Sequence, residues 1–172
     1  MKDQIAYLDS SAIVKRYVKE SGSSTVRKLY LKAYSGEATI SFNIWNIGEV
    51  LGILGKAKTV GRLGNKEYML ARKRFPLETR RLVKLGQLIV VPLKTKIIKE
   101  SWKLIEKHHI CEADAIQITT AKHINATQFL TGDKKLHEIA EKEKINSTTS
   151  TKKLETISYK HATSNNLNVI RH

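Results

Sequence analysis

Four short apolar runs, each followed by a stretch with helical spacing, restrict this chain more than any other feature. The runs are Ile5-Ala6-Tyr7-Leu8, Ala38-Thr39-Ile40-Ser41, Leu88-Ile89-Val90-Val91-Pro92 and Thr127-Gln128-Phe129-Leu130. Strands of this length, alternating with helical patterns, argue for an α/β fold built on a parallel sheet. Asp9-Ser10-Ser11 ends the first run, a helical pattern follows to about Glu20, and Ser23 and Ser24 open a second. Others span 43–58, 65–84, 94–109 and 112–124, and one starts after Asp133. Along 43–58, Ile44, Ile47, Leu51 and Leu54 form one apolar stripe. Pro76 predicts a break or kink within 65–84.

The polar stretch 145–151 (INSTTST) reads as a loop, and Leu167-Asn168-Val169-Ile170 as a last edge strand. No internal repeat and no dividing linker occurs, so residues 1–172 form one expected domain.

In an open parallel sheet, ligands bind beyond the carboxyl ends of the strands, near the switch in strand order. Asp9 ends the first run and Asp133 follows the last. Glu49 lies in the helical stretch after the second run, and Asp114 opens the one before the fourth. These placements predict four carboxylates on one rim of the sheet. Four hard oxygen donors with no set of thiolates suit Mg²⁺ or Mn²⁺. Taken singly, Asp9 and Asp133 also fit helix caps, and Asp114 a helical first turn. Glu49 is the informative one, because it stands mid-helix among Ile44, Trp45, Ile47, Leu51, Ile53 and Leu54. A helix apolar nearly all round is expected to be buried, and a carboxylate there must be paired, protonated or metal-bound.

The charge is as uneven as it is large. The formal net charge is +15 over 172 residues. Residues 56–86 hold ten Lys and Arg against Glu67 and Glu78, a net +8. Clustering of this kind is an electrostatic footprint for a polyanion. Arg62, Arg72, Lys73, Arg74, Arg80 and Arg81 are the candidate contacts to such a polyanion, whether nucleic acid, an anionic membrane face or an acidic protein; contacts of this kind to a nucleic acid hold its backbone with little regard to base sequence. Lys15 and Arg16, one to two turns past Asp9, are candidates for a substrate phosphate or simply solvated helix positions.

Several function classes lose ground. The single cysteine, Cys111, cannot form an internal disulfide. No apolar run spans a membrane and the first residues lack a secretory h-region, so a cytoplasmic protein is expected. There is no P-loop and no G-x-G-x-x-G. The cluster His108-His109-Ile110-Cys111-Glu112 lacks the second ligand pair of a structural zinc site. An aspartyl-nucleophile phosphatase would place a second Asp two residues after Asp9, where Ser11 stands.

The segments YLDSSAIVKRY, SFNIWNIGEV, EADAIQITTAK and FLTGDKKL together resemble the PIN-domain family, in particular its VapC-type toxin ribonucleases. They carry Asp9, Glu49, Asp114 and Asp133 in the family's order, over residues 3 to about 142. Ser11 and Thr131 match the family's hydroxyl positions, where they would fix the acids. The resemblance implies a PIN-like three-layer α/β/α fold with a parallel sheet of four to five strands. It implies a Mg²⁺- or Mn²⁺-dependent endoribonuclease, an antitoxin partner covering the active site, and a homodimer. KHATSNNLNVI is similar to the family's closing segment, which would make 143–166 largely an insertion. Two alternatives remain open: a non-catalytic nucleic-acid-binding module of the same fold, and an RNA-processing PIN nuclease without antitoxin.

Overall fold

The computed structural model describes residues 4–150. Strand β1 (Ile5–Leu8) leads to helices α1 (Ser10–Val14) and α2 (Ser23–Tyr34). Strand β2 (Thr39–Asn43) leads to α3 (Trp45–Thr59) and α4 (Asn65–Lys84). Strand β3 (Leu88–Val91) leads to α5 (Thr95–His108) and α6 (Glu112–His123), then β4 (Gln128–Thr131), α7 (Lys134–Lys142) and β5 (Ser147–Thr149). All five strands are parallel, in the order β3-β2-β1-β4-β5. The chain winds outward from β1 to β3 and then returns to the other side of β1. The switch in strand order therefore falls between β1 and β4.

Side-chain alternation along the strands builds the three layers. Ala6 and Leu8 of β1 and Leu130 of β4 join a core with Ile13, Val26, Tyr30, Ile40, Phe42, Leu54, Phe75 and Leu82. Tyr7 and Phe129 point the other way, to Leu104, Ile118, Leu136 and Ile139. Tyr7 pairs with Phe129 in register, and their rings stack at 5.5 Å. Helices α1–α4 thus cover one face and α5–α7 the other.

The structure departs from the sequence expectations at four places. Helix α1 is a single short helix ending at Val14, not one running to Glu20. Helix α4 runs unbroken through Pro76. Pro76 and Arg72 are both exposed, so water can satisfy the Arg72 carbonyl that the missing N–H leaves free. The expected loop at 145–151 contains β5, held by Phe129 donating to the Asn146 carbonyl at 2.8 Å. That places 147–149, the early part of the supposed insertion 143–166, in the sheet. Helix α3 is buried on one side only: Asn46, Val50, Leu54 and Ala57 face inward. Ile44, Trp45 and Leu51 are exposed. The proposed edge strand 167–170 lies outside the described residues.

No helix among the described residues is long and apolar enough to cross a membrane.

Candidate active site

Asp9 follows β1 directly at the switch point and is 3% exposed. Its Oδ1 accepts from the Ala12 N–H at 2.7 Å, which caps α1. Thr131, fully buried at the end of β4, donates its hydroxyl to Asp9 Oδ2 at 2.6 Å. Ser11 donates its hydroxyl to the same carboxylate, 2.7 Å from Oδ1 and 2.9 Å from Oδ2. Both hydroxyls also accept from the β4–α7 turn. Thr131 Oγ1 takes the Asp133 N–H at 2.9 Å and Ser11 Oγ the Gly132 N–H at 2.7 Å. The two adjacent strand ends are thereby tied through one carboxylate.

Gly132 has to lack a side chain here. A Cβ at this position would stand 2.9 Å from Ser11 Oγ and 2.9 Å from Lys15 Cε. Gly132→Ala should push Ser11 off Asp9 and cost about 1–3 kcal/mol, the usual range for overpacking. Urea unfolding of the variant checks this, and an unchanged midpoint would show that the turn gives way freely.

The other acids come from three separate elements. Glu49, half-buried on α3, accepts from Ser10 Oγ at 2.6 Å and Gln117 Nε2 at 3.0 Å. Asp114 is half-buried in the first turn of α6. Asp133 is exposed and caps α7, its Oδ1 accepting from the Leu136 N–H at 3.0 Å. The capping roles and the shared rim thus coexist in Asp9 and Asp133.

Electrostatics couple the group. Burial pushes the Asp9 carboxyl up to about 6, against its hydrogen bonds, and the Asp114 charge adds to the rise. Burial likewise raises Asp114; hydrogen bonding from Cys111 opposes this, and the Asp133 charge adds to it. Each acid is thus held against its neighbour's charge in a partly dry setting.

Among the described residues, no three His, Cys, Asp or Glu side chains stand close enough together to hold a metal ion as they are. The donor chemistry nonetheless fits a hard divalent cation: mutually repelling carboxylates, backed by hydroxyls, at a sheet switch point. A cation would offset the burial that chiefly raises Asp9 and Asp114, and the repulsion that adds to it.

Lys15 and Arg16 are neither solvated nor free to meet a substrate. Lys15 Nζ donates to the Ser21 carbonyl at 2.7 Å and stands 3.4 Å from Glu20. Arg16 grips Glu78 of α4 through two hydrogen bonds, at 2.6 and 3.0 Å. His108 lies 2.7 Å from Glu143 and Cys111 is exposed at the start of α6. Arg62, Arg72, Lys73, Arg74, Arg80 and Arg81 are all exposed, Arg81 lying over the Tyr34 ring at 5.4 Å.

Sequence reasoning missed Ser10, Asn46 and Gln117, which surround Glu49. The signal was present: Asn46 and Gln117 are uncharged polar residues inside apolar stretches, three positions before Glu49 and three after Asp114.

Solved structures that share this fold are matched over nearly their whole length. VapC20 of Mycobacterium tuberculosis, described as a sarcin-ricin loop cleaving toxin, is 13% identical with a TM-score of 0.55. The match covers 76% of this chain and 92% of that one. VapBC2 from Rickettsia felis, bound to a DNA fragment from its promoter, is 17% identical with a TM-score of 0.56, over 84% and 98%. FitAcB from Neisseria gonorrhoeae is 15% identical with a TM-score of 0.58, over 84% and 97%. At such identities the likeness shows the fold. No curated protein matches the chain. The family model of the PIN domain matches residues 6–142, from the strand that presents Asp9 to the helix that Asp133 caps, and the chain belongs to the PIN-domain family.

Proposed function

We propose that this protein is a divalent-cation-dependent endoribonuclease, the toxin of a toxin–antitoxin pair, working as a homodimer. The observation that carries the reading is Asp9: a buried carboxylate at the sheet switch point, locked by Ser11, Ala12 and Thr131, with its proton affinity raised by burial and by Asp114. A carboxylate kept dry at that cost answers a need for a charged ligand better than a need for a helix cap.

Asp9, Glu49, Asp114 and Asp133 would hold Mg²⁺ or Mn²⁺. Bound there, such a cation supplies charge that neutralises a phosphodiester and acidifies an attacking water. Ser11 and Thr131 keep the Asp9 oxygens in place through the reaction. The exposed cations of 56–86 hold the RNA backbone, so binding should weaken with salt.

A groove of about 670 Å³ between α3 and α4 supports a protein partner. It is lined by Leu51, Met69, Leu70 and Pro76, with Arg72 and Lys73 among them. Apolar surface of this kind, edged by cations, suits an amphipathic acidic segment such as an antitoxin would supply. The structures of VapBC2 and of FitAB bound to DNA, similar in fold to this chain, give the pairing its precedent.

The test is cleavage of labelled structured RNA with Mn²⁺, Mg²⁺ or EDTA, by the parent and by Asp114→Asn. Cleavage should need the cation and fall more than about 100-fold in the variant, beyond the loss typical of residues that merely support a ligand. Cleavage that survives in EDTA or in Asp114→Asn would sink the proposal. RNA binding without any cleavage would favour a binding module instead.

A further inference from the structure

Glu49 is held by a buried polar relay whose direction is set by the backbone. The N–H of Asn43 donates to Asn46 Oδ1 at 2.8 Å, and the Tyr7 hydroxyl donates to the same oxygen at 3.3 Å. A backbone N–H can only donate, so the Asn46 amide is fixed with its oxygen towards Asn43 and its nitrogen away. Both hydrogens of that nitrogen are used. One goes to Ser10 Oγ at 2.9 Å and the other to Gln117 Oε1 at 2.7 Å. The Ser10 hydroxyl, having accepted, donates its single hydrogen to Glu49 Oε2 at 2.6 Å. The Gln117 amide, its oxygen committed to Asn46, must turn its nitrogen outward, and it donates to the same Oε2 at 3.0 Å.

Burial makes this arrangement stiff. Asn43 and Asn46 are 0% exposed, Gln117 3% and Ser10 4%. A buried polar network that is satisfied throughout has one low-energy arrangement, because reversing any amide strands a donor against a donor. The relay draws on β1, α1, β2, α3 and α6, so it forms only once both helical layers are packed. Two donors converge on Oε2, and among the described residues no hydrogen bond reaches Oε1.

We infer that Gln117, backed by Asn46, is a positioning residue for Glu49: it anchors Oε2 and leaves Oε1 as the oxygen offered to the cation. This rests on the proposed metal-dependent nuclease. Gln117 touches neither substrate nor cation in this assignment. It acts by holding a mid-helix carboxylate in one rotamer, through the two donors that meet on Oε2.

The experiment is a double-mutant cycle read by calorimetric Mn²⁺ binding to the full chain, with no RNA present. The four proteins are the parent, Gln117→Met, Glu49→Gln and the double variant. Gln117→Met should bind Mn²⁺ about 10- to 100-fold more weakly, the usual loss for a residue that orients a ligand. In the Glu49→Gln background the same change should cost nothing further. Equal losses in both backgrounds would mean a general structural effect and would overturn the inference. So would parental affinity in Gln117→Met, or in Glu49→Gln. Gln117→Asn, too short to bridge Asn46 and Glu49 but still polar, should show the same coupling if the Met variant does not fold. A parent that binds no Mn²⁺ overturns the nuclease reading itself, whereas a parent that binds it normally beside an unaffected Gln117→Met overturns only the role of Gln117.

Discussion

Asp9→Asn should give a metal-free protein that is more stable at neutral pH and does not cut RNA. In the fold the Asp9 carboxyl rises from 3.8 to about 6, chiefly through burial. For an acid, a raised value means that the folded state holds its proton longer than the unfolded chain does. Below about pH 4 both states are protonated and nothing is lost. As the pH climbs the unfolded chain ionises first, and the fold loses stability until about pH 6. Above that the loss is complete, at about 3 kcal/mol. Asparagine removes the charge but presents one acceptor where aspartate has two, so part of the gain goes to a poorer contact with Thr131. A net stabilisation of about 1–2 kcal/mol at pH 7 is expected. Thermal unfolding of both proteins from pH 4 to 8 checks the sign: the variant's advantage should grow up to about pH 6 and then level off. A difference that does not change with pH would mean that Asp9 is not ionising as described. The same proton competes with the cation, so Mn²⁺ affinity of the parent should fall as the pH drops below about 6.

Arg16→Ala should cost about 3 kcal/mol, the larger loss to stability. Arg16 and Glu78 are 13% and 11% exposed, and they join α1 to α4. Burial alone would raise the Glu78 carboxyl, yet its value is lowered, because the Arg16 hydrogen bonds and charge outweigh burial. Glu78 also accepts from the Tyr34 hydroxyl at 3.1 Å, and the Arg16 guanidinium lies 5.0 Å above the Tyr30 ring. Removing Arg16 leaves the half-buried Glu78 charge without its ion-pair partner. For a chain of this size the loss corresponds to roughly 6–12 °C in Tm. Changing both partners to Met should recover most of the stability, since no charge is then left unpaired. If the double variant is as unstable as Arg16→Ala, the pair matters for packing and not for charge compensation.

How much of this was legible beforehand differs element by element. The apolar runs at 5–8, 88–92 and 127–130 announced β1, β3 and β4, because a short apolar run between turn signals marks a strand without further context, even in β3, where Ile89 is exposed. Strand β5 gave no such sign. Ser147-Thr148-Thr149 is polar, lies at a sheet edge, and is defined by backbone pairing with β4. Helix α3 misled, because its apolar residues look alike in the sequence whether a neighbour covers them or not. Ile44, Trp45 and Leu51 are bare, and Leu54 is fully buried.

The same division runs through the candidate site. The order of Asp9, Glu49, Asp114 and Asp133 relative to strands and helices was a local property, and so was the excess of positive charge at 56–86. What those acids experience was decided by long-range packing. Thr131 meets Asp9 because β4 lies beside β1, 122 residues on. Gln117 meets Glu49 across 68 residues. Arg16 faces Glu78 across 62. Residue types and their spacing record what a chain can do within one element, since periodicity is a property of a single helix or strand. Which oxygen of Glu49 is anchored, how dry Asp9 is, and whether a cation near the site is free or already paired depend on side chains brought together from distant segments, and only the tertiary structure brings them together.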